Sequence, residues 1–383
     1  MNGIVRFRER DDAPASDTYK WNDPPEGTIG ASVADMDVHI APPVASALHD
    51  AVHRSSTGYV KSHMRGVADS IADWHGRRFG QPVDPSLIRF APNVVNGLIQ
   101  AATVLNPARK RLIMNTPVYY PFFEVANEVE MAQVRVSMVE DDGRWLLDLD
   151  RMDAEAADGG IILLCNPHNP TGAVPTRAEL EGVADIARRH GNPIISDEIH
   201  APLTYPGHTF VPFSEVAPDL ADRLFTVTST SKSFNLPGVK FAWLIAGSPE
   251  LAAGVDDLPV MLTYGTSSFG PAATVAATSQ GDPWLDELVE RLTERRDRLG
   301  ELLAERLPRT RWLAPEATFL AWLDFRGYDL PEEPAAVLKG HGVDLSPGVI
   351  FGEEGRGHAR LNFGCSAQTL ELMVDRIATA LEG

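Results

Sequence analysis

Between residues 50 and 275, short apolar runs alternate with amphipathic stretches, and this alternation limits the chain's possible folds more than any other feature. A short apolar run bounded by turn-forming residues suits a strand buried on both faces. Such strands, joined through amphipathic helices, build a parallel sheet with helices packed on it. The runs predict strands at Arg111 to Asn115, Gly160 to Cys165, Pro193 to Ser196, Leu224 to Thr228 and Phe241 to Ile245. One helix between them is well marked. Thr176 and Glu179 have capping-box spacing, and Leu180, Val183 and Ala187 follow on one face.

After residue 275 the texture changes to a long helix, with Asp282 expected as its N-cap and Pro283 in its first turn. Strand-like segments at Thr318 to Phe325 and His358 to Phe363 follow. A closing helix carries Leu370, Val374, Ile377 and Leu381 at helical spacing. The expected organisation is an arm and part of a smaller unit over 1–49, a large α/β domain over 50–275, and the remainder of the smaller α+β unit over 276–383.

The net charge of −19 argues against a nucleic-acid or anionic-membrane partner, since either needs a basic face. The two cysteines, Cys165 and Cys365, have neither CxxC nor Cys/His spacing, so no disulfide framework or metal site is expected. The first twenty residues contain no apolar core of a signal peptide, and no apolar run approaches a membrane span. The expected setting is the cytoplasm.

Four segments carry the chemistry: Asn166-Pro-His-Asn-Pro-Thr-Gly172, Ser196-Asp-Glu-Ile-His200, Ser229-Thr-Ser-Lys232 and Ala359-Arg-Leu-Asn362. Alone, each is weak, because a lysine is usually a solvated charge and an aspartate after a strand usually caps a turn. Together they supply what pyridoxal 5'-phosphate (PLP) chemistry needs: an amine to condense with the cofactor aldehyde, and a carboxylate to keep the pyridine nitrogen protonated. Lys232 and Asp197 suit these roles, each following a predicted strand at the edge where open α/β sheets bind ligands. The phosphate needs helix-terminal amides with hydroxyls or a cation. Val94 and Val95, before an apparent helix at Leu98 to Leu105, are candidates, as are Ser229, Ser231 and Lys240. Tyr119 could cover the ring, and Asn169 and His200 could donate to its phenolic oxygen. Arg360 is a natural fork for an α-carboxylate.

With these residues on the page, the chain resembles the fold-type I PLP enzymes, and more narrowly the MalY/PatB family of cystathionine β-lyase-type carbon–sulfur lyases. The resemblance is carried by Val33-Ala-Asp35-Met-Asp37, Thr57-Gly-Tyr59, Pro117-Val-Tyr-Tyr-Pro-Phe122, Cys165-Asn-Pro-His-Asn-Pro-Thr-Gly172, Ser196-Asp-Glu-Ile-His200, Ser231-Lys-Ser-Phe-Asn235, Ser346-Pro-Gly348 and Arg360-Leu-Asn-Phe363. It implies a large domain with a mostly parallel seven-stranded sheet flanked by helices, plus the smaller α+β domain. It further implies that Lys232 binds PLP and moves protons, Asp197 pairs with the ring nitrogen, Asn169 and His200 meet the ring oxygen, and Tyr119 stacks on the ring. Arg360 then holds the substrate carboxylate, with Asp35, Tyr119 and Asn169 as further substrate contacts. A homodimer is implied as well, in which Tyr59 reaches the cofactor phosphate of the partner subunit.

The implied reaction is α,β-elimination from L-cystathionine or another L-cysteine S-conjugate, giving a thiol, pyruvate and ammonia. The sequence departs from the family pattern at Asn93, at Pro237-Gly-Val239 and after Gly364. Three alternatives stay open: an aminotransferase, a secondary-metabolism enzyme cleaving or decarboxylating a tailored S-conjugate, and a MalY-like regulatory binding protein.

Overall fold

The computed structural model describes residues 3–12, 17–106, 108 and 110–383, so Met1, Asn2 and residues 13–16 of the expected arm lie outside the described residues. The central sheet has seven strands: β1 (Ile88–Ala91), β2 (Arg111–Thr116), β3 (Ala132–Ser137), β4 (Ile161–Cys165), β5 (Ile194–Asp197), β6 (Leu224–Thr228) and β7 (Ala242–Ala246). Their order is β1-β7-β6-β5-β4-β2-β3. All neighbours are parallel except β7, which runs antiparallel to both β1 and β6. The five strands expected from apolar runs are present, and β4, β5 and β6 are buried along their whole length. The two without a predicted counterpart, β1 and β3, form the sheet edges.

Helix α1 spans Pro42–His53, α2 Val94–Leu105, α3 Arg177–His190, α4 Gly270–Gln280, α5 Asp282–Arg306 and α6 Ala367–Glu382. The α3 capping box forms: Thr176 Oγ1 accepts from the Glu179 amide at 3.2 Å, and Glu179 Oε2 accepts from the Thr176 amide at 2.8 Å. The cap expected for α5 does not. Gly281 is the N-cap and Asp282 the first helical residue. The Asp282 carboxylate instead accepts from Trp74 Nε1 at 2.9 Å, because the indole N–H of a buried tryptophan needs an acceptor.

The smaller sheet joins β8 (Arg311–Trp312), β9 (Leu320–Asp324), β10 (Ser346–Pro347) and β11 (His358–Asn362) in the antiparallel order β8-β9-β11-β10. In the N-terminal segment, Ile29–Gly30 pairs in parallel with Val343–Asp344 as a separate two-stranded sheet, and Ile29, Met36 and Val38 share a core with Leu323, Leu361 and Phe363. Both expected domain boundaries fall inside helices. Residue 50 lies within α1 and residue 275 within α4, and these two helices pack on each other, so neither marks a linker. No described helix is long and apolar enough to cross a membrane.

Candidate active site

Lys232 lies on a single helical turn, Thr230–Ser233, directly after β6. Ser229 opens the turn: its hydroxyl accepts from the Ser231 amide at 2.9 Å and donates to the Phe241 carbonyl at 2.6 Å. These bonds correct one expectation. Ser229 does not line the cavity, because its single O–H is spent on tying the lysine turn to the chain leading into β7.

A cavity of about 430 Å³ opens over this turn. Asp197 and His200 reach it from the end of β5, Asn169 from the loop after β4, Tyr119 from the loop after β2, and Val94 and Val95 from the first turn of α2. Ser231, Lys232 and Lys240 complete the predicted set there. Strands β2, β4, β5 and β6 are parallel, so their carboxyl ends deliver these segments to one edge of the sheet.

Arg360, on β11, is bound to this group through Asn169: Nη1 donates to Asn169 Oδ1 at 3.1 Å, and Nη2 donates to the Ser32 carbonyl at 2.7 Å and Ser346 Oγ at 3.1 Å. Its Nε is buried without a partner, and its guanidinium lies 4.8 Å over the Phe351 ring. Asp35 lines an adjoining cavity that shares Pro237 with the first, and its Oδ1 is buried without a partner. Tyr59 does not line this cavity. It is 91 % exposed, with its ring 6.0 Å from that of Tyr264.

Burial dominates the electrostatics. It raises the Asp197 carboxyl to about 7, opposed by the Ile199 amide and the Lys232 charge. Burial, then the Arg360 charge, lowers Lys232 to about 8 against the pull of Asp35 and Asp197. Arg360 falls to about 10 for the same first reason and remains a cation at neutral pH. Burial keeps His200 well below its usual value, with Lys232 and Arg360 adding to the effect, so its imidazole is neutral. Burial also lifts Tyr119 to about 12, so its phenol keeps its proton.

These residues fit PLP, the group implied by the sequence. Asn93 Oδ1 takes the Asn96 amide at 3.0 Å, which leaves the Val94 and Val95 amides at the helix terminus for a phosphate, with Ser231 and Lys240 beside them. A buried carboxylate such as Asp197 needs a cation nearby, and a protonated ring nitrogen is one. His200 Nδ1 is buried with no partner, a polar atom waiting for a ligand. Several participants had no predicted role. Ser32 and Ser346 grip Arg360, and Cys165, Ile199 and Phe241 wall the cavity. Asn93 could have been found as a polar cap before an apolar helix.

Comparison with known proteins agrees with this geometry. The family model "Aminotransferase class I and II" matches residues 29–377. Cystathionine beta-lyase PatB of Bacillus subtilis is 32 % identical over 387 residues, covering 98 % of this chain and 100 % of that protein. A solved structure of a candidate PLP-dependent beta-cystathionase from Corynebacterium diphtheriae superposes with a TM-score of 0.92 at 31 % identity, covering 99 % of each chain. The PLP-bound C-S lyase of Staphylococcus hominis gives a TM-score of 0.90 at 25 % identity, over 99 % of this chain and 97 % of that one.

Proposed function

Because this chain belongs to the class I and II aminotransferase family, we propose that it is a PLP-dependent carbon–sulfur lyase. It cleaves L-cystathionine or another L-cysteine S-conjugate into a thiol, pyruvate and ammonia. The observation that carries this reading is the meeting of Lys232, Asp197 and Asn169 at one cavity, with Arg360 bonded to Asn169 beside it, in a chain that matches lyases along its whole length.

Arg360 and Asn169 bind the substrate α-carboxylate, a charge-assisted fork that fixes Cα relative to Lys232. PLP, when bound, supplies an electron sink for the charge left at Cα. Asp197 and His200 hold the ring, and the Val94 and Val95 amides, Ser231 and Lys240 hold the phosphate. Tyr119 covers the ring face. The amine of Lys232, its pKa lowered towards neutrality, takes the proton from Cα. The electron pair of the broken C–H bond forms the Cα–Cβ double bond, the Cβ–S pair leaves with sulfur, and the ammonium of Lys232 returns a proton to the thiolate. The released aminoacrylate hydrolyses to pyruvate and ammonia.

The active unit in this reading is a homodimer. The exposed Tyr59, Met64, Val260, Met261 and Tyr264 support an interface with a second copy, across which Tyr59 reaches the partner's phosphate. Free, buried Cys165 and Cys365 support a reducing, cytoplasmic setting.

Purified protein incubated with a panel of L-cysteine S-conjugates, cystathionine among them, should yield thiol and pyruvate in equal amounts. Transfer of the amino group to a keto acid without thiol release would replace the lyase reading with an aminotransferase.

A further inference from the structure

Residues 32–35 form a bent segment whose successive carbonyls are taken by different parts of the site. The Ser32 carbonyl accepts from Arg360 Nη2 at 2.7 Å, and the Ala34 carbonyl accepts from Lys232 Nζ at 2.6 Å. The two carbonyls between and beyond these, Val33 and Asp35, both accept from Asn362 Nδ2, at 2.7 and 2.5 Å. A fork that holds the Val33 and Asp35 carbonyls fixes the two peptide planes on either side of the Ala34–Asp35 peptide, and so restrains where the Ala34 carbonyl points.

Asn362 suits this fork in every atom. It is fully buried, two residues beyond Arg360 on β11, and its Oδ1 accepts from the Gly364 amide at 2.8 Å. That bond orients the amide so that both N–H groups face the segment. Lys20, 1 % exposed, adds a second donor to the Asp35 carbonyl at 3.2 Å while paired with Asp37 Oδ2 at 3.0 Å. Asn235, three residues after Lys232, holds both the amide and the carbonyl of Met36, at 2.8 and 2.7 Å.

We propose that Asn362 is a positioning residue that sets the register of residues 32–35, so that one stretch of backbone aligns Arg360, which grips the substrate carboxylate, with Lys232, which moves the proton. The proposal rests on the lyase reading for what Arg360 and Lys232 do. It adds that the two are coupled through the backbone carbonyls of one segment. The Ala34 carbonyl also gives the free lysine amine an acceptor that holds it in place beside Asp35, Asp197 and Arg360, the charged groups around it.

The test uses cofactor-loaded Asn362→Asp, which keeps the shape but turns an oxygen towards the Val33 and Asp35 carbonyls, and Lys20→Met, which removes the second donor to the Asp35 carbonyl together with the ion pair to Asp37. Asn362→Asp should raise KM and lower kcat together, with kcat/KM down at least about tenfold, the scale on which small misplacements act. A carbonyl holds an ammonium more strongly than an amine, so loosening Ala34 should also move the acid limb of the kcat profile to lower pH. This shift is read in the uncharged Asn362→Ser variant, because Asn362→Asp adds a carboxylate that favours protonated Lys232. Lys20→Met should lower kcat/KM in the same way to a smaller extent. Variants that lose thermal stability yet keep wild-type KM, kcat and pH profile would overturn the proposal. If Asn362→Asp does not fold, Asn362→Ser and Lys20→Met carry the same test. A wild-type protein that releases no thiol refutes the lyase reading instead, and the two failures are thereby told apart.

Discussion

Replacing Arg360 with methionine removes the fork while keeping a long apolar stem over Phe351. Nη1 and Nη2 make three bonds, to Asn169, Ser32 and Ser346; Asn169 Oδ1 and Ser346 Oγ lose this donor, while the Ser32 carbonyl keeps the Ser346 hydroxyl at 2.7 Å. The site is buried, with Arg360 3 % exposed, so a substrate carboxylate arriving there finds no cation and little water. Truncating one side of a buried charge pair costs about 2 to 5 kcal/mol, which at about 1.4 kcal/mol per decade is a fall of roughly 30- to 5,000-fold in kcat/KM. Since the carboxylate is gripped in ground and transition states alike, most of the loss should appear in KM. Steady-state thiol release measures it, and unchanged yellow colour certifies that the cofactor is still bound. A second substrate sharpens the test: the decarboxylated amine of the same S-conjugate should be processed equally poorly by wild type and variant. A variant whose penalty is as large with the amine as with the amino acid would refute the carboxylate role and make Arg360 a structural cross-link between β11 and the Asn169 loop.

Lys232→Ala should yield a colourless protein without turnover, read by visible absorbance after dialysis; a retained yellow band would place the cofactor on another amine. Asp197, raised to about 7 by burial, is protonated below that pH in the empty site. Because the ring cation needs the carboxylate ionised, cofactor affinity should fall roughly tenfold per pH unit below pH 7, followed by equilibrium dialysis of the apoprotein. Asp197→Asn should bind weakly with no such slope, and a flat wild-type profile would contradict the assignment. His75 is buried against Trp74, Phe79 and Trp243, and burial lowers it to about 4. Its depressed pKa means the folded state gives stability above pH 6.5 that is lost as pH falls towards 4. Relative to His75→Phe, the wild type should lose about 1.4 kcal/mol per pH unit across that window in urea titrations, and parallel curves would show that His75 is hydrated.

The parts of the site that were legible are those whose chemistry resides in a side chain of an uncommon type at a fixed spacing. Lys232, Asp197, Asn169 and Arg360 are of that kind, and so is the capping box of α3, whose two partners are three residues apart. Edge strands are less legible because their packing is one-sided. β3 has three exposed and two half-buried positions and a single buried residue, and its sequence presents no apolar run. Hydroxyls are less legible for another reason: Ser229 and Ser231 both lie just before Lys232, yet one caps a turn and the other faces the cavity, the Ser229 hydroxyl being drawn to the Phe241 carbonyl twelve residues away. Asp282 shows the same competition, since a distant indole claimed the carboxylate that local pattern assigned to a cap.

The least legible part of the site is residues 32–35, and the reason is chemical. What this stretch offers to Arg360, Lys232 and Asn362 is four backbone carbonyls, which every sequence has at every position. Its partners lie about 200 and 330 positions away, so no local spacing joins them. Val33 to Asp37 carries part of the resemblance but says nothing of these bonds, and their trace is on the donor side, where an asparagine follows Arg360 by two residues and another follows Lys232 by three. Each is a plausible surface residue until the fold buries it. A buried asparagine amide must place two donors and one acceptor, and the bonds of Asn362 account for all three. Its identity therefore follows from the backbone it holds, which is why an isosteric change of one atom, nitrogen to oxygen, should be felt at the lysine and at the arginine together.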